Sequence, residues 1–304
     1  MITFTSVSHT YRSLFRRVHA VEDFTLEIQA GEVFGLAGPN GAGKSTLISL
    51  MLGFMSPGRG AIRIDGVPPR AYVERSGIGF VSELMNVPPR WELRETLVRY
   101  ALLAGIPSNE VKDRVDRAIE LLGLAEHRGK RVKQLSKGNL QRLGIAQALL
   151  REERVLVFDE PTHGLDPVWS LRFRDIVSEL RAGDRAVFIA SHNLDELQRL
   201  CDRVAIIDHG RLERIIDLNA PPPVASRTSY RLTMANGHEH VAAVFPGATE
   251  GDEGAFELPP LELASLNAGL AALVGKGALV SALTPLESSL ERAFREAVTE
   301  EQRV

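Results

Sequence analysis

One cysteine, Cys201, stands alone in a chain of 304 residues. No disulfide can form within the chain, and no cysteine-based zinc site can be assembled from it. Net charge is also small. At a formal −3, no global basic field draws the chain to nucleic acid or to an anionic membrane, so no nucleic-acid partner is expected. Long apolar runs are missing as well. No window reaches the ~20 apolar residues that span a bilayer; the nearest, Leu270 to Leu283, is cut by Lys276 and two glycines. The opening Met-Ile-Thr-Phe-Thr-Ser-Val alternates like an amphipathic strand and lacks the apolar core of a signal peptide. These absences predict a cytosolic, soluble chain that does any membrane work through a partner protein.

What is present reads as a folded globular protein, with 44% hydrophobic and 25% charged residues. The first ~215 residues alternate short apolar runs with longer helical patterns, the order of an α/β domain with a largely parallel sheet. Val33–Ala37, Val155–Asp159, Ala186–Ala190 and Val204–Ile207 are short, apolar and partly β-branched, as strands buried on both faces should be. Between Glu83 and Ser136 no strand pattern interrupts, and Val111, Val115, Ala118, Ile119 and Leu122 fall on one helical face. This predicts an all-helical insertion, residues 84–150. Three consecutive prolines within 219–229 mark a linker. Beyond it the pattern is small α+β: one helical stripe of Leu263, Leu266, Leu270, Leu273 and Val274, a strand over Ala278–Leu283, and a second stripe of Leu286, Leu290, Ala293, Phe294 and Ala297.

Gly38-Pro39-Asn40-Gly41-Ala42-Gly43-Lys44-Ser45 matches the phosphate-loop pattern G-x-x-x-x-G-K-[ST] between a predicted strand and a predicted helix that begins near Lys44. Glycines at 38, 41 and 43 let the backbone turn so that N–H groups face phosphate oxygens, and the helix start adds partial positive charge. Lys44 is set to bridge β- and γ-phosphates, and the Ser45 hydroxyl to ligate Mg²⁺, with Thr46 beside it. The loop alone says nucleotide and does not separate GTPases, kinases, helicases and transport motors. The absence of an Asn-Lys-x-Asp motif counts against a GTPase.

Further motifs narrow the choice. Asp159-Glu160-Pro161-Thr162 follows an apolar strand, and Gly164-Leu165-Asp166-Pro167 follows it. Leu135-Ser136-Lys137-Gly138-Asn139 opens a helix read as Leu140 to Leu150, and His192 stands just past a buried strand. Together these resemble the ABC ATPases over roughly the first 215 residues. The fold this implies is α/β: a P-loop NTPase of the ABC ATPase type with a helical insertion subdomain, plus a small C-terminal α+β domain. The expected boundaries are 1–218 for the nucleotide-binding domain, 219–229 for the linker and 230–304 for the accessory domain.

The resemblance also implies roles. Asp159 would hold Mg²⁺, Glu160 would act as general base and His192 would contact the γ-phosphate. Tyr11 would stack on adenine, although a tyrosine on an early strand is often core. Ser136 and Gly138 would face the ATP held by another subunit; alone, Ser136 reads equally as a plain helix cap. Asn139 departs from the family's commoner Gln, and Glu83 stands where many members carry a glutamine and can also ligate Mg²⁺. The cofactors implied are ATP and Mg²⁺. The partners implied are a second copy or a paired ABC subunit, and a multi-spanning membrane permease docking near Glu83–Leu97, with Val87-Pro-Pro-Arg-Trp91 as docking surface. That places the chain in the cytoplasm, peripheral on the inner face of the membrane. The signature form and the closing segment Leu283 to Phe294 are similar to exporter ATPases, with an importer motor or a soluble ABC ATPase acting on nucleic acid or ribosomes as alternatives.

Overall fold

The computed structural model describes residues 1–12, 17–220, 227–251 and 254–300. The chain divides into two compact units, one of Met1–Asp217 together with the residues from Ala297 on, the other of Leu218–Glu296.

The first unit opens with β1 (Ile2–Arg12) and β2 (Arg17–Ile28). After β3 (Val33–Ala37) and α1 (Lys44–Met51), the chain returns as β4 (Arg59–Ile64) to complete a three-stranded antiparallel sheet in the order β2-β1-β4. A sheet read as largely parallel therefore has an antiparallel companion. Its signal is the alternation in β2, where Val21, Phe24, Leu26 and Ile28 are buried between exposed neighbours.

Next come α2 (Pro69–Ser76), β5 (Gly79–Val81) and three helices, α3 (Leu93–Leu103), α4 (Ser108–Leu121) and α5 (Lys137–Ala148). Val111, Val115, Ala118, Ile119 and Leu122 are all buried, so α4 packs through the predicted face. The signature helix starts three residues earlier than the expected Leu140 because Ser136 caps it, accepting the Asn139 N–H at 3.2 Å. β6 (Val155–Asp159), α6 (Pro167–Ala182), β7 (Ala186–Ser191), α7 (Leu194–Leu200), β8 (Arg203–Asp208) and β9 (Arg211–Asp217) complete the unit. The main sheet runs β5-β6-β7-β3-β8-β9, parallel except where β9 folds back on β8.

Phe34 stacks on Phe188 across this sheet with centroids 6.3 Å apart, and Phe158 meets Phe173 edge-on at 5.5 Å. Each such buried ring contributes ~1.5–3 kcal/mol relative to exposure. The register then decides where the chemistry goes. Ala37 pairs with Ser191, Asp159 with Ala190, and Val81 with Phe158. The carboxyl ends of β3, β5, β6 and β7 thus finish side by side, the edge at which open α/β sheets bind ligands.

The second unit is α+β: β10 (Thr228–Asn236), α8 (Val241–Val244), β11 (Thr249–Glu250), β12 (Ala255–Leu261), α9 (Leu263–Gly275), β13 (Leu279–Pro285) and α10 (Ser289–Glu300) as far as Glu296, with sheet order β11-β12-β10-β13, all antiparallel. Of the linker read as 219–229, residues 221–226 lie outside the described residues, and Thr228 and Ser229 already belong to β10.

Both predicted stripes are corrected here. In α9 the buried ridge is Leu266, Gly269 and Leu273, while Leu263 and Val274 face solvent. The reason is Phe245, whose ring sits where a Cβ on Gly269 would come within 2.3 Å. The glycine admits the ring, and the burial face rotates toward it. In the second stripe Leu290, Ala293 and Ala297 are buried but Leu286 is exposed. Ser288 and Glu291 form a reciprocal capping box at 3.1 and 2.7 Å, which starts the helix beyond Leu286. Among the described residues no helix is long and apolar enough to cross a membrane.

Candidate functional site

The turn after β3 is built on two glycines that nothing else can replace. A Cβ on Gly38 would come within 2.5 Å of the Ile207 carbonyl oxygen. Gly43, at φ 111°, would put its Cβ 2.4 Å from the Ala20 carbonyl oxygen. The first i→i−4 bond of α1 runs from Leu47 N–H to the Gly43 carbonyl at 3.0 Å. The N–H groups of Lys44, Ser45 and Thr46 therefore have no intrahelical acceptor and carry the positive end of the helix dipole.

Lys44 is buried, and its ammonium donates to the carbonyls of Gly38 at 2.6 Å and Pro39 at 3.2 Å. Burial draws its pKa down, while Glu160, Asp159 and Glu83 pull it back up. Those three carboxylates meet at the edge set by the register. Burial, and then the charges of Glu160 and Glu83, push Asp159 up to about 6, with Lys44 offsetting part of the rise.

Glu160 is buried and sits at φ 51°, a left-handed conformation that costs a non-glycine residue roughly 1–2 kcal/mol. The surroundings clamp it there. Its N–H donates to Ala190 O at 2.9 Å, and its own carbonyl accepts from His163 N–H at 3.1 Å and from the Gln141 amide at 3.3 Å. Its Oε1 accepts the His192 backbone N–H at 3.0 Å and lies 2.8 Å from His192 Nδ1, and its Oε2 accepts from the Ser191 hydroxyl at 3.1 Å. Gln141, Ser191 and His163 were not singled out in the sequence, since a lone Gln, Ser or His carries no motif.

A cavity of about 570 Å³ is lined by Tyr11, Asn40, Gly41, Gly43, Lys44, Ser45, Thr46, Glu83, Asp159, Glu160 and His192, together with Val18, His19, Ala20, His163 and His209. Gly38, Pro39 and Ala42 do not line it; they form the turn beneath. Tyr11 lies on the β1–β2 hairpin, about half exposed, its hydroxyl 3.4 Å from that of Thr46 and its ring edge-on to His9 at 4.9 Å. The three histidines missed in the sequence come from strand β2 (His19) and from two separate turns (His163 and His209), which only the tertiary fold brings to the site.

Ser136 and Gly138 do not share this cavity. They line another, of about 270 Å³, with Lys137, Asn139, Arg142, Gly164, Leu165, Asp166 and Trp169. Asp166 caps α6 by accepting the Trp169 N–H at 2.9 Å. Arg142 lies 4.0 Å over the Trp169 ring, donates to the carbonyls of Leu122 at 3.2 Å and Gly123 at 3.4 Å, and holds the Asn139 side-chain oxygen. The shorter Asn139 is thus engaged within its own chain.

The loop read as a docking surface is only partly exposed. Val87 is buried, and the Arg99 guanidinium covers the Trp91 ring at 4.5 Å. Pro88, Pro89, Arg90 and above all Leu84, 81% exposed, remain at the surface.

The arrangement can receive a polyanion accompanied by a cation. Free helix N–H groups and an ammonium suit phosphate oxygens, while three carboxylates around one lysine leave negative charge that a divalent cation would neutralise. Among the described residues no group of three or more His, Cys, Asp or Glu is arranged to hold a metal by itself.

A stability prediction follows from Asp159. Its folded pKa, about 6, stands above the ordinary 3.8, so the ionised form destabilises the fold. That penalty is absent below about pH 4, grows as pH rises through about 6 and is full above it. Asp159→Asn should stabilise the nucleotide-free chain at pH 8 by on the order of 1–2 kcal/mol after allowance for solvent screening. The gain should vanish near pH 4. Thermal melts across this range check it; an equal gain at both ends refutes the assignment.

Comparison with known proteins agrees with this geometry. The ABC transporter family model matches residues 21–163. The ABC transporter ATP-binding protein NatA of Bacillus subtilis is 34% identical over 216 residues, covering 70% of this chain and 87% of that protein. The Nod factor export ATP-binding protein I of Rhizobium etli is 36% identical, covering 69% of this chain and 66% of its own length. The methionine import ATP-binding protein MetN of Caulobacter vibrioides is 37% identical, with 70% and 65% covered. Among solved structures, a dimeric bacterial ABC transporter cassette superposes with a TM-score of 0.66 at 25% identity, over 73% of this chain and 100% of that one. The shared fold, and relatives matched along most of their length, make one conclusion plain: this chain belongs to the ATP-binding proteins of the ABC transporters, a family of ATPases.

Proposed function

We propose that this chain binds Mg²⁺-ATP in a site completed by a second chain, and that hydrolysis there drives a separate membrane subunit, most simply an exporter. The observation that carries the reading is the separation of the phosphate-loop cavity from the Ser136–Gly138 cavity within one chain. Each is half of an anion site: one has the ammonium and the carboxylates, the other a capped helix start with Lys137. A triphosphate held by both needs a second copy of this chain or a paired ABC subunit. Dimeric cassettes among the structural relatives support that reading.

In this site the loop backbone and Lys44 hold the β- and γ-phosphates, Tyr11 stacks on adenine, and Ser45 and Asp159, with Glu83 beside them, hold Mg²⁺. The metal supplies charge neutralisation on the phosphates. Glu160 takes a proton from the attacking water, and His192, bonded to Glu160, faces the γ-phosphate. Exposed Leu84, Leu102 and Leu103 lie on or near the segment Glu83–Leu97 and support docking of an apolar surface there. That partner is a multi-spanning permease, with this chain peripheral on the cytoplasmic face.

The export reading rests on the Ser-Lys-Gly signature, on Glu83 and on the accessory unit; the Nod factor export relative supports it, while the methionine import relative keeps an importer motor as the second reading. The near-neutral charge gives no support to a nucleic-acid role.

Complementation tests the composite site. Lys44→Ala and Gly138→Asp chains should each be inactive alone. Mixed, they should regain roughly a quarter of the normal ATPase rate, because half of randomly formed dimers are mixed and each keeps one of two sites. No recovery above the parents would refute the shared site. Co-purification with a protein of about six membrane spans, and the direction of substrate movement in vesicles containing both, tests the exporter.

A further inference from the structure

One buried acid beside this site has no place in the hydrolysis described above. Glu196, in the first turn of α7, is 8% exposed. Asn193-x-x-Glu196 reads as a capping box, in which the glutamate would return to the Asn193 N–H. Asn193 does cap the helix, accepting the Glu196 N–H at 3.2 Å, but the Asn193 N–H goes to the Ser191 hydroxyl oxygen at 3.1 Å instead. The Glu196 side chain goes there too, with Oε2 3.0 Å from Ser191 Oγ. On its other side the same hydroxyl lies 3.1 Å from Glu160 Oε2.

Proton counting decides what this means. A hydroxyl has one proton to donate and two lone pairs to offer. The Asn193 N–H uses one lone pair. If both glutamates were ionised, one proton would have to serve two carboxylate oxygens, and the unserved contact would set lone pair against lone pair in a buried place. The count closes when one carboxyl carries a proton. Glu160 already uses its other oxygen, Oε1, which accepts the His192 backbone N–H and faces the His192 ring. Glu196 suits that proton well. Burial pushes its pKa up, with the Glu160 charge adding to the rise, while the hydroxyls of Thr162 and Ser191 and the His192 ring offset part of it. Among the described residues its Oε1, also buried, has no hydrogen-bond partner.

We propose that Glu196 is a neutral carboxylic acid that donates to Ser191, which in turn donates to Glu160, and that the two are positioning residues holding Glu160 in place for ATP hydrolysis. Every valence of Ser191 Oγ is then used: it accepts from Glu196 and from Asn193, and donates to Glu160. The chain of bonds fixes the direction of the Ser191 proton and holds Glu160 with one oxygen tied to Ser191 of β7 and the other to His192. No proton is consumed or moved in this role.

The inference rests on Glu160 acting as the base, and the test separates the two. With the full-length chain, Ser191→Ala and Glu196→Ala should each lower kcat by about tenfold, the scale of a lost orienting contact, with KM for ATP changed less than about twofold. Glu196→Gln, whose amide donates to Ser191 as the acid does, should recover most of the rate. Infrared spectra at neutral pH should show a protonated-carboxyl band in the wild type that is absent from Glu196→Gln. Should Glu196→Ala fold poorly, Glu196→Gln and the infrared band decide. A Glu196→Gln chain as slow as the Ser191→Ala chain, an unaffected Ser191→Ala chain, or a missing band overturns the proposal. Normal turnover by Glu160→Gln would instead overturn the role of Glu160 as base, and would leave the band untouched.

Discussion

Glu160→Gln is expected to slow ATP turnover by ~10²–10⁴, the range over which general bases contribute, and to trap an ATP-bound dimer. The substitution is nearly isosteric. Its amide oxygen can still accept the His192 N–H, and the left-handed backbone at position 160 is held by bonds from Ala190, His163 and Gln141 that do not involve the side chain. What disappears is the ability to accept a proton from water. Because Lys44 and the phosphate loop are untouched, nucleotide affinity should persist, and ATP should remain at the interface between two chains. Phosphate release measures the first effect, and sedimentation in Mg²⁺-ATP measures the second. A variant that turns over at the wild-type rate is incompatible with Glu160 as base.

Lys44→Ala should act earlier, at binding. The ammonium offsets the charge of Asp159, and Glu160, Asp159 and Glu83 all act on it. Without it three carboxylates face an incoming triphosphate. Hydrogen bonds to charged groups contribute ~1.5–3 kcal/mol each, so losing a contact to two phosphate groups should weaken ATP binding by about 10²–10⁴-fold and abolish turnover at ordinary nucleotide concentrations. The truncation also frees the carbonyls of Gly38 and Pro39, which now accept from Nζ, so calorimetric affinity should be measured with a melting curve. An undiminished ATPase rate would remove the phosphate loop from the account.

Parts of this site were legible before any fold was known, and the reason is proximity along the chain. Gly38 to Ser45 act as one loop, and Asp159-Glu160 end one strand, so residue order alone carries their chemistry. Tyr11, Glu83 and His192 were recognisable only through the spacing of motifs around them. His19, His163, His209, Gln141 and Ser191 gave no signal. Each sits in an ordinary local context, and each reaches the site only through the tertiary fold: His19 from the antiparallel strand β2, Gln141 from α5, and His163, Ser191 and His209 from β7 and the turns after β6 and β8. The accessory unit shows the same limit. Periodicity located α9 and α10, but Phe245 and the Ser288–Glu291 capping box chose which of their faces is buried.

Residue order was therefore enough for the family, the phosphate loop, the acidic strand end and the capped signature helix, because short-range sterics and hydrogen bonding act within a few neighbours. Long-range pairing settled the rest. The register of β3, β6 and β7 sets Ala37 beside Ser191 and Asp159 beside Ala190. That alignment crowds three carboxylates around Lys44, and it lets a buried glutamate on a short helix reach Glu160 through a single hydroxyl. Backbone hydrogen bonds between strands far apart in sequence impose that proximity, and no local pattern encodes it.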